Sequence, residues 1–474
     1  MTFPHGFIWG TATASYQIEG ATTADGRGPS IWDTFAAQPG KILGDATGER
    51  ACEHFHRYRD DIELLHELGM PYYRFSTAWS RIMPDGRTIE PRGIAFYDRL
   101  IDRLLERDIT PMLTLYHWDL PQALEDEGGW RNRDVAAYFA DYAQTVHKAL
   151  GDRVRQWTTI NEPFCAAFLG YGNGQHAPGL KDEGAALVAA HHLLLAHGHG
   201  AQALRASGAD EVSIVLNFSP VLTEVDDEVH REAARKFDFL HNRFFLDPVL
   251  GRGYPPELLE DLAHVGTLEP AIEDGDLEII AQPLDWLGVN YYAPTRSTPL
   301  ADPAADSNCP LPGLRGMDVM PPQGELTSFG WEQRPESFTD LLLWLTEHCD
   351  GLPLIVAENG AAFADVVEDG RVHDAERVRY FAKHIGAVHN AVARGADVRG
   401  YLAWSLLDNF EWAMGYTQRF GLVHVDFETQ QRIVKDSARF FAAVVAGNSA
   451  PERAGAHDAV DDVPGQQDEQ RDDR

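Results

Sequence analysis

The chain has 474 residues, enough for two ordinary domains or one large barrel, and its 44% hydrophobic content supplies a full core. Its net charge of -33 excludes nucleic acid and anionic membranes as partners, because a phosphate surface would repel it. No run approaches the ~20 apolar residues of a membrane span. The sequence opens Met1-Thr2-Phe3-Pro4-His5, with no basic segment followed by an apolar run, so a cytoplasmic location without a signal peptide is expected.

Short apolar runs then alternate with helical patterns. A strand is expected over 7–14, followed by an amphipathic stretch at 58–68 with Ile62, Leu65 and Leu68 on one stripe. A second strand, 72–79, precedes a helix at 94–107 in which Tyr97, Leu100, Ile101, Leu104 and Leu105 recur at helical spacing. Strands follow at 110–118 and 154–162, then at 212–218 and 284–291. The segment 293–335 is rich in Pro and Gly and poor in apolar periodicity, and it reads as a large loop over the active-site face. A strand at 354–358 leads to a helix at 375–394, with Val378, Phe381, Ile385, Val388 and Val392 in register, and a last strand covers 399–406. The closing stretch, 448–474, is acidic and nearly free of large apolar residues, so a disordered tail without a catalytic role is expected after a catalytic unit spanning 1–447.

Eight strands interleaved with helices predict an α/β fold of the (β/α)8 type, a TIM barrel in one domain. A doubly wound sheet would want a Gly-rich dinucleotide turn after the first strand, and Gly10-Thr11-Ala12-Thr13-Ala14 does not supply one. Two of the strands end in a glutamate followed by a breaker: Thr159-Ile160-Asn161-Glu162-Pro163 and Val356-Ala357-Glu358-Asn359-Gly360. Strand ends at that face of a barrel are where catalytic groups stand. Two glutamates facing each other across a sugar are the minimal equipment for cutting a glycosidic bond with retained configuration.

The four cysteines, Cys52, Cys165, Cys309 and Cys349, are scattered and form no Cys-x-x-Cys pair, which predicts free thiols in a reducing compartment. Cys165, close to Glu162, reads as a small buried residue of the barrel wall rather than a nucleophile. His191, His192, His197 and His199 lie in an Ala/Leu-rich helical stretch, where packing and surface positions are expected rather than a metal site.

With both glutamates in place the chain resembles the family 1 glycoside hydrolases, the β-glucosidase family of bacterial type. The likeness rests on several motifs in the family's order. They are Phe7-Ile8-Trp9-Gly10 through Gln17-Ile18-Glu19-Gly20, Tyr116-His117-Trp118-Asp119-Leu120-Pro121, the Glu162 motif, and Gly170-Tyr171 with His176-Ala177-Pro178-Gly179. Asn290-Tyr291-Tyr292, the Glu358 motif and Trp404-Ser405 through Asn409-Phe410-Glu411-Trp412 complete the set. Ala357 departs from it, since the family usually carries a hydroxyl residue there; that side chain is expected to point away from the sugar.

The resemblance implies a double displacement on terminal β-D-glucosyl residues of small β-glycosides or cello-oligosaccharides, without metal or organic cofactor. Glu358 would be the nucleophile and Glu162 the acid/base; Arg74 and Tyr292 match residues that hold the nucleophile. Gln17, His117, Asn161, Glu411 and Trp412 match the sugar-binding set, with Asn161 at the 2-hydroxyl, Trp404 the stacking platform and Trp331 a flank of the aglycone. The nearest alternative, a 6-phospho-β-glycosidase, would place Ser and Lys about Glu411, and Ala413-Met414-Gly415 offers no lysine. A thioglucosidase would carry Gln at Glu162. A catalytically dead carbohydrate-binding barrel would have lost one of the carboxylates.

Overall fold

A computed structural model describes residues 2–450. Eight parallel strands close into a barrel: β1 (Ile8–Ala12), β2 (Tyr72–Ser76), β3 (Thr110–Tyr116), β4 (Gln156–Asn161), β5 (Glu211–Phe218), β6 (Leu287–Tyr291), β7 (Leu354–Asn359) and β8 (Val398–Trp404). Each strand pairs with its neighbour in sequence, and β1 closes the ring on β8 from Ile8↔Gly400 to Ala12↔Trp404. All eight correspond to expected strands, which end slightly earlier than the apolar pattern suggested at most of the C-terminal edges. There the chain leaves the ladder to place side chains over the barrel mouth.

Helices cover the outside of the ring, as parallel strands buried on both faces require. The three stretches with helical spacing form His54–Glu67, Pro91–Leu105 and Ala375–Ala393. Pro91 starts its helix at the first position, where its missing N–H costs nothing, and the Glu90 side chain accepts from the backbone N–H of Arg92. Ile62, Leu65, Tyr97, Leu100, Ile101 and Leu104 are buried against the strands, whereas Leu105, expected on the same stripe, is exposed at the helix end. Met112, Val215, Ile355 and Leu402, from four different strands, form a separate apolar cluster with Ala12 and Ala357, the filling of the barrel itself.

Two expectations need correction. The segment 293–335 is not merely a loop. Thr295–Pro299 pairs antiparallel with Met317–Met320 and parallel with Val221–Leu222. These strands are two to five residues long and mostly half-buried, too short for an apolar alternation to betray them. The segment is tied down by Arg296, which donates to both oxygens of Glu332 at 2.8 Å. The barrel unit also does not stop at residue 447. Asn448 accepts from the Trp9 indole N–H at 2.9 Å and donates to the Phe3 carbonyl at 3.0 Å, Thr2 bridges to Ser449, and Ala450 is buried. The rest of the acidic segment, 451–474, lies outside the described residues. Among the described residues no helix is long and apolar enough to cross a membrane.

Three of the helical histidines are engaged in hydrogen bonds, two within the outer layer and one to the barrel wall. His191 bonds Tyr254 and Asp276 at 2.9 Å each, His192 the Trp130 carbonyl at 2.9 Å, and His197 the Thr159 hydroxyl at 2.7 Å. All four cysteines are unpaired.

Candidate active site

The C-terminal ends of the strands surround a cavity of about 370 Å³ lined by Glu162, Glu358, Glu411, His117, Tyr292, Trp331, Trp404 and Trp412 among others. The backbone is distorted where it delivers the two glutamates. The β4–β5 register slips between Thr158 and Asn161, and the β7 register slips between Val356 and Glu358 against β6. A bulge re-aims the side chain that follows it, and here each one precedes or contains a glutamate. Glu162 itself sits at φ 47°, as does Trp412, while Trp118 sits at 76°. Left-handed backbone at three large non-glycine residues costs on the order of 1–3 kcal/mol each, and all three lie at the cavity. Gly360 answers to crowding rather than to chain termination, because a Cβ there would lie 1.8 Å from the Trp404 carbonyl oxygen.

The two carboxylates have different company. Glu358 accepts from the Arg74 guanidinium through Oε1 and from the Tyr292 phenol through Oε2, both at 2.7 Å. Arg74 also donates to the Asn161 side-chain oxygen at 2.6 Å. Glu162 accepts from the Asn290 amide through Oε1 at 2.6 Å and from the Cys165 thiol through Oε2 at 3.1 Å. Burial first, and the negative charge of Glu358 second, push Glu162 up to about 7. Glu411 is pushed up to about 8 by burial, then by the charges of Glu358 and Glu162. Burial, helped by the Arg74 charge, drives His117 well down, so its ring is neutral.

The remaining residues form two layers. His117, Trp404, Trp412 and Glu411 face the cavity, and the His117 ring stacks on Trp404 and on Trp412 with centroids 5.8 and 6.0 Å away. Trp331 comes over from the 293–335 excursion and packs on Tyr292 at 5.1 Å and on Phe329 at 4.2 Å. Gln17 and Asn161 stand just behind. Gln17 donates to the Phe410 carbonyl and the Asn409 side chain at 3.0 Å, leaving its own oxygen without a partner. The Asn161 amide takes His117 Nε2 at 3.2 Å, which leaves Nδ1 as the unpartnered ring N–H. The unpaired Gln17 acceptor, next to Glu411, and the unpaired His117 donor match the needs of a polyhydroxylated ligand. Ala357 does not line the cavity.

Several contributors were missed. Asn290, Trp118 and His176 lay in motifs quoted for the resemblance without a role of their own. Asn217 sits near the end of β5, as a polar residue in the apolar run Ile214-Val215-Leu216-Asn217-Phe218. Cys165 lines the cavity and bonds the Glu162 carboxyl, so it is more than a filler of the wall.

Comparison with known proteins agrees with this arrangement. The model of glycosyl hydrolase family 1 matches residues 1–450. The thermostable beta-glucosidase B of Thermobispora bispora is 50% identical over 94% of this chain and 91% of its own. A bifunctional beta-D-glucosidase/beta-D-fucosidase of Bifidobacterium breve is 45% identical over 95% of this chain and 99% of its own. The crystal structure of a psychrophilic beta-glucosidase from Micrococcus antarcticus superposes with a TM-score of 0.90 at 48% identity, covering 94% of this chain and 98% of that one. A closed (β/α)8 barrel with a carboxylate at the ends of β4 and β7, matched along its whole described length, makes this chain a member of glycosyl hydrolase family 1.

Proposed function

We propose that the chain is a retaining β-glucosidase that removes terminal β-D-glucosyl residues from small β-glycosides and cello-oligosaccharides, acting in the cytoplasm. The observation that carries this is the unequal pair of carboxylates in one cavity. Glu358, gripped by a guanidinium and a phenol, is positioned to attack the anomeric carbon. Glu162, pushed up to about 7, stays protonated in a large fraction of molecules near neutral pH and can give that proton to the departing oxygen.

The proton balance of the second step follows from the same contacts. Attack turns Glu358 into a glycosyl ester and removes its charge. That charge is the second cause of the raised Glu162 value, so its loss favours ionisation of Glu162, which then takes a proton from water as the water attacks the ester. The ester breaks, Glu358 is restored as an anion, and Glu162 is again protonated. No residue outside the pair has to store the proton.

Glucose recognition is assigned to Gln17, His117, Asn161, Glu411 and Trp412, with Trp404 as floor and Trp331 on the leaving-group side. A phosphorylated glycoside is disfavoured, since the cavity lining contains no Lys or Arg. The unpaired cysteines support a reducing compartment. Initial rates on an aryl β-glucoside, with proton NMR of the first sugar released, test the reading: a β-anomer is expected, and an α-anomer would overturn it.

A further inference from the structure

We propose that Cys165 is a positioning residue for the acid/base: its thiol binds the ionised form of Glu162 selectively and so favours the base state needed in the second step. The inference deepens the reading of Glu162 given above and rests on it.

The geometry begins with the turn. Glu162 ends β4 in left-handed backbone, and Cys165 N–H donates to the Glu162 carbonyl at 3.0 Å, so the chain folds back and sets residue 165 beside the carboxyl. The thiol is buried, faces the cavity, and lies 3.1 Å from Oε2. The other oxygen, Oε1, is taken by the Asn290 amide at 2.6 Å. An amide N–H can only donate, so Oε1 must remain an acceptor. The acid proton therefore resides on Oε2, the oxygen that the thiol touches.

That shared oxygen makes the contact conditional. When Oε2 is anionic, the S–H donates to it. When Oε2 carries the proton, it is a much poorer acceptor for the S–H, and sulfur offers only weak acceptance in return. The bond is therefore much stronger in one protonation state than in the other, which is what moves an equilibrium. Asn290 lacks this selectivity to the same degree, because Oε1 accepts in both states.

The thiol is itself kept neutral. Burial, then the charge of Glu162, holds it well above its ordinary value, with Glu358 and Glu411 adding to the effect. It is thus a donor and not a competing nucleophile. The other groups facing Glu162 are Arg74 from β2, Glu358 from β7, Tyr292 just past β6 and Glu411 from the excursion after β8. Of these Arg74 favours the anion and the two carboxylates oppose it. His241, which also lines the cavity, is pushed down to about 3 by burial and contributes no charge at neutral pH. Cys165 is thus the one neutral donor on the oxygen that titrates.

The test is the basic limb of kcat/KM against pH, which reports the free enzyme's acid. Cys165→Val removes the donor at similar bulk, and the limb should rise by about half a pH unit, the worth of one modest hydrogen bond. Cys165→Ser restores a donor, and its limb should stay at or below that of the wild type. Cys165→Ala serves in place of the valine variant if that one folds poorly, and it should move the limb in the same direction. Coincident limbs in wild type, valine and serine, or valine and serine moving together, would overturn the proposal. Glu162→Ala is the separating control. If the limb vanishes there while the cysteine variants leave it in place, only the role of Cys165 fails. If the limb survives in Glu162→Ala, the acid/base reading fails with it.

Discussion

The carboxyls of Glu162 and Glu358 line the same cavity, yet their surroundings are opposite in kind. Glu358 and Glu162 are 3% and 5% exposed, so loss of water cannot distinguish them. What differs is the partner set. A cation and a phenol, brought by β2 and the end of β6, converge on Glu358; an amide and a thiol converge on Glu162. Burial alone raises a carboxyl, and only an opposite charge at contact distance offsets it. One barrel mouth can therefore hold two carboxyls in unlike electrostatic surroundings, provided the buried Arg74 contacts only one of them. Arg74 is 1% exposed and lies against Glu358, not Glu162.

The strongest way to break this contrast is to delete either carboxylate. Glu358→Gly should lose at least about 10⁴-fold in turnover, because no other group can form the ester. In azide it should yield an α-glycosyl azide from an activated β-aryl glycoside, the small anion occupying the vacated space. Glu162→Ala should lose about 10²–10⁴-fold on substrates with poor leaving groups and much less on activated aryl glycosides, whose departure needs no acid. With azide it should give the β-azide, formed in the second step. Product NMR decides between them, and the reverse pairing would exchange the two roles.

A third carboxyl sharpens the contrast further. Glu411, at about 8, is largely protonated at neutral pH, and no cationic side chain lines the cavity. The unphosphorylated glycoside should be preferred over its 6-phosphate by at least about a hundredfold in kcat/KM, mostly through the cost of stripping water from an unpaired dianion. As the pH rises from 7 to 9, Glu411 ionises and like-charge repulsion adds to that cost, so the preference should widen. A ratio that stays flat with pH would show that Glu411 does not face the 6-position.

The same two raised carboxyls predict how stability varies with pH. Both have folded values above the ordinary 4.5, at about 7 and about 8. Their contribution is fully present below the unfolded value and is lost as the pH rises through the folded ones, because the unfolded chain ionises them freely. Wild-type Tm should therefore fall between about pH 4.5 and pH 8, and this contribution should be level above that. Glu411→Gln should flatten the fall by about 1–3 °C. An unchanged slope, followed by calorimetry, would mean that Glu411 is not a strained group in the empty site.

How much of this was legible beforehand depends on the kind of signal. The eight strands were, since each is a β-branched or apolar run bounded by a breaker, and the barrel buries both faces of every strand. Glu162 and Glu358 were, since each is a charged residue closing such a run. The partition of partners was legible only in part, and only through the family resemblance, which put Arg74 and Tyr292 on Glu358. Nothing in spacing says that one guanidinium will reach Glu358, across the barrel, and Asn161, or that an amide and a thiol will claim Glu162. The bulges in β4 and β7 that set those directions leave no mark in composition. The small sheet within 293–335 was hidden because Thr295–Pro299 is mostly polar and half-buried, and Met317–Met320 is a four-residue run interrupted by Asp318. The barrel's end was misplaced at residue 447 for a related reason: Asn448 looks like the start of a polar tail, and its role depends on a contact with Trp9 more than four hundred residues away in sequence.

That contact supports the smallest prediction. Asn448 accepts from the Trp9 indole and donates to the carbonyls of Phe3 and Pro4 at 3.0 and 3.3 Å, while its own backbone carbonyl accepts from Phe3 N–H at 2.9 Å. Phe3, Phe7 and Trp9 form an aromatic cluster under β1, with centroids 4.5–4.9 Å apart. Asn448→Ala leaves the indole N–H and one carbonyl without partners at a partly buried seam, which should cost about 1–3 kcal/mol. For a chain of this size that is a fall of only a few degrees, at most, in Tm. The seam lies at the closure of β1 and the chain ends, and none of its residues lines the cavity, so kcat/KM should be unchanged. Removing 451–474 instead, a polar acidic stretch with little to bury, should leave both quantities where they are. A cut that begins at Asn448 should lower Tm at least as much as Asn448→Ala. Equal melting temperatures for the two truncations would show that the Asn448–Trp9 seam carries no stability, and a drop in kcat/KM on removing 451–474 would show that this segment reaches the site.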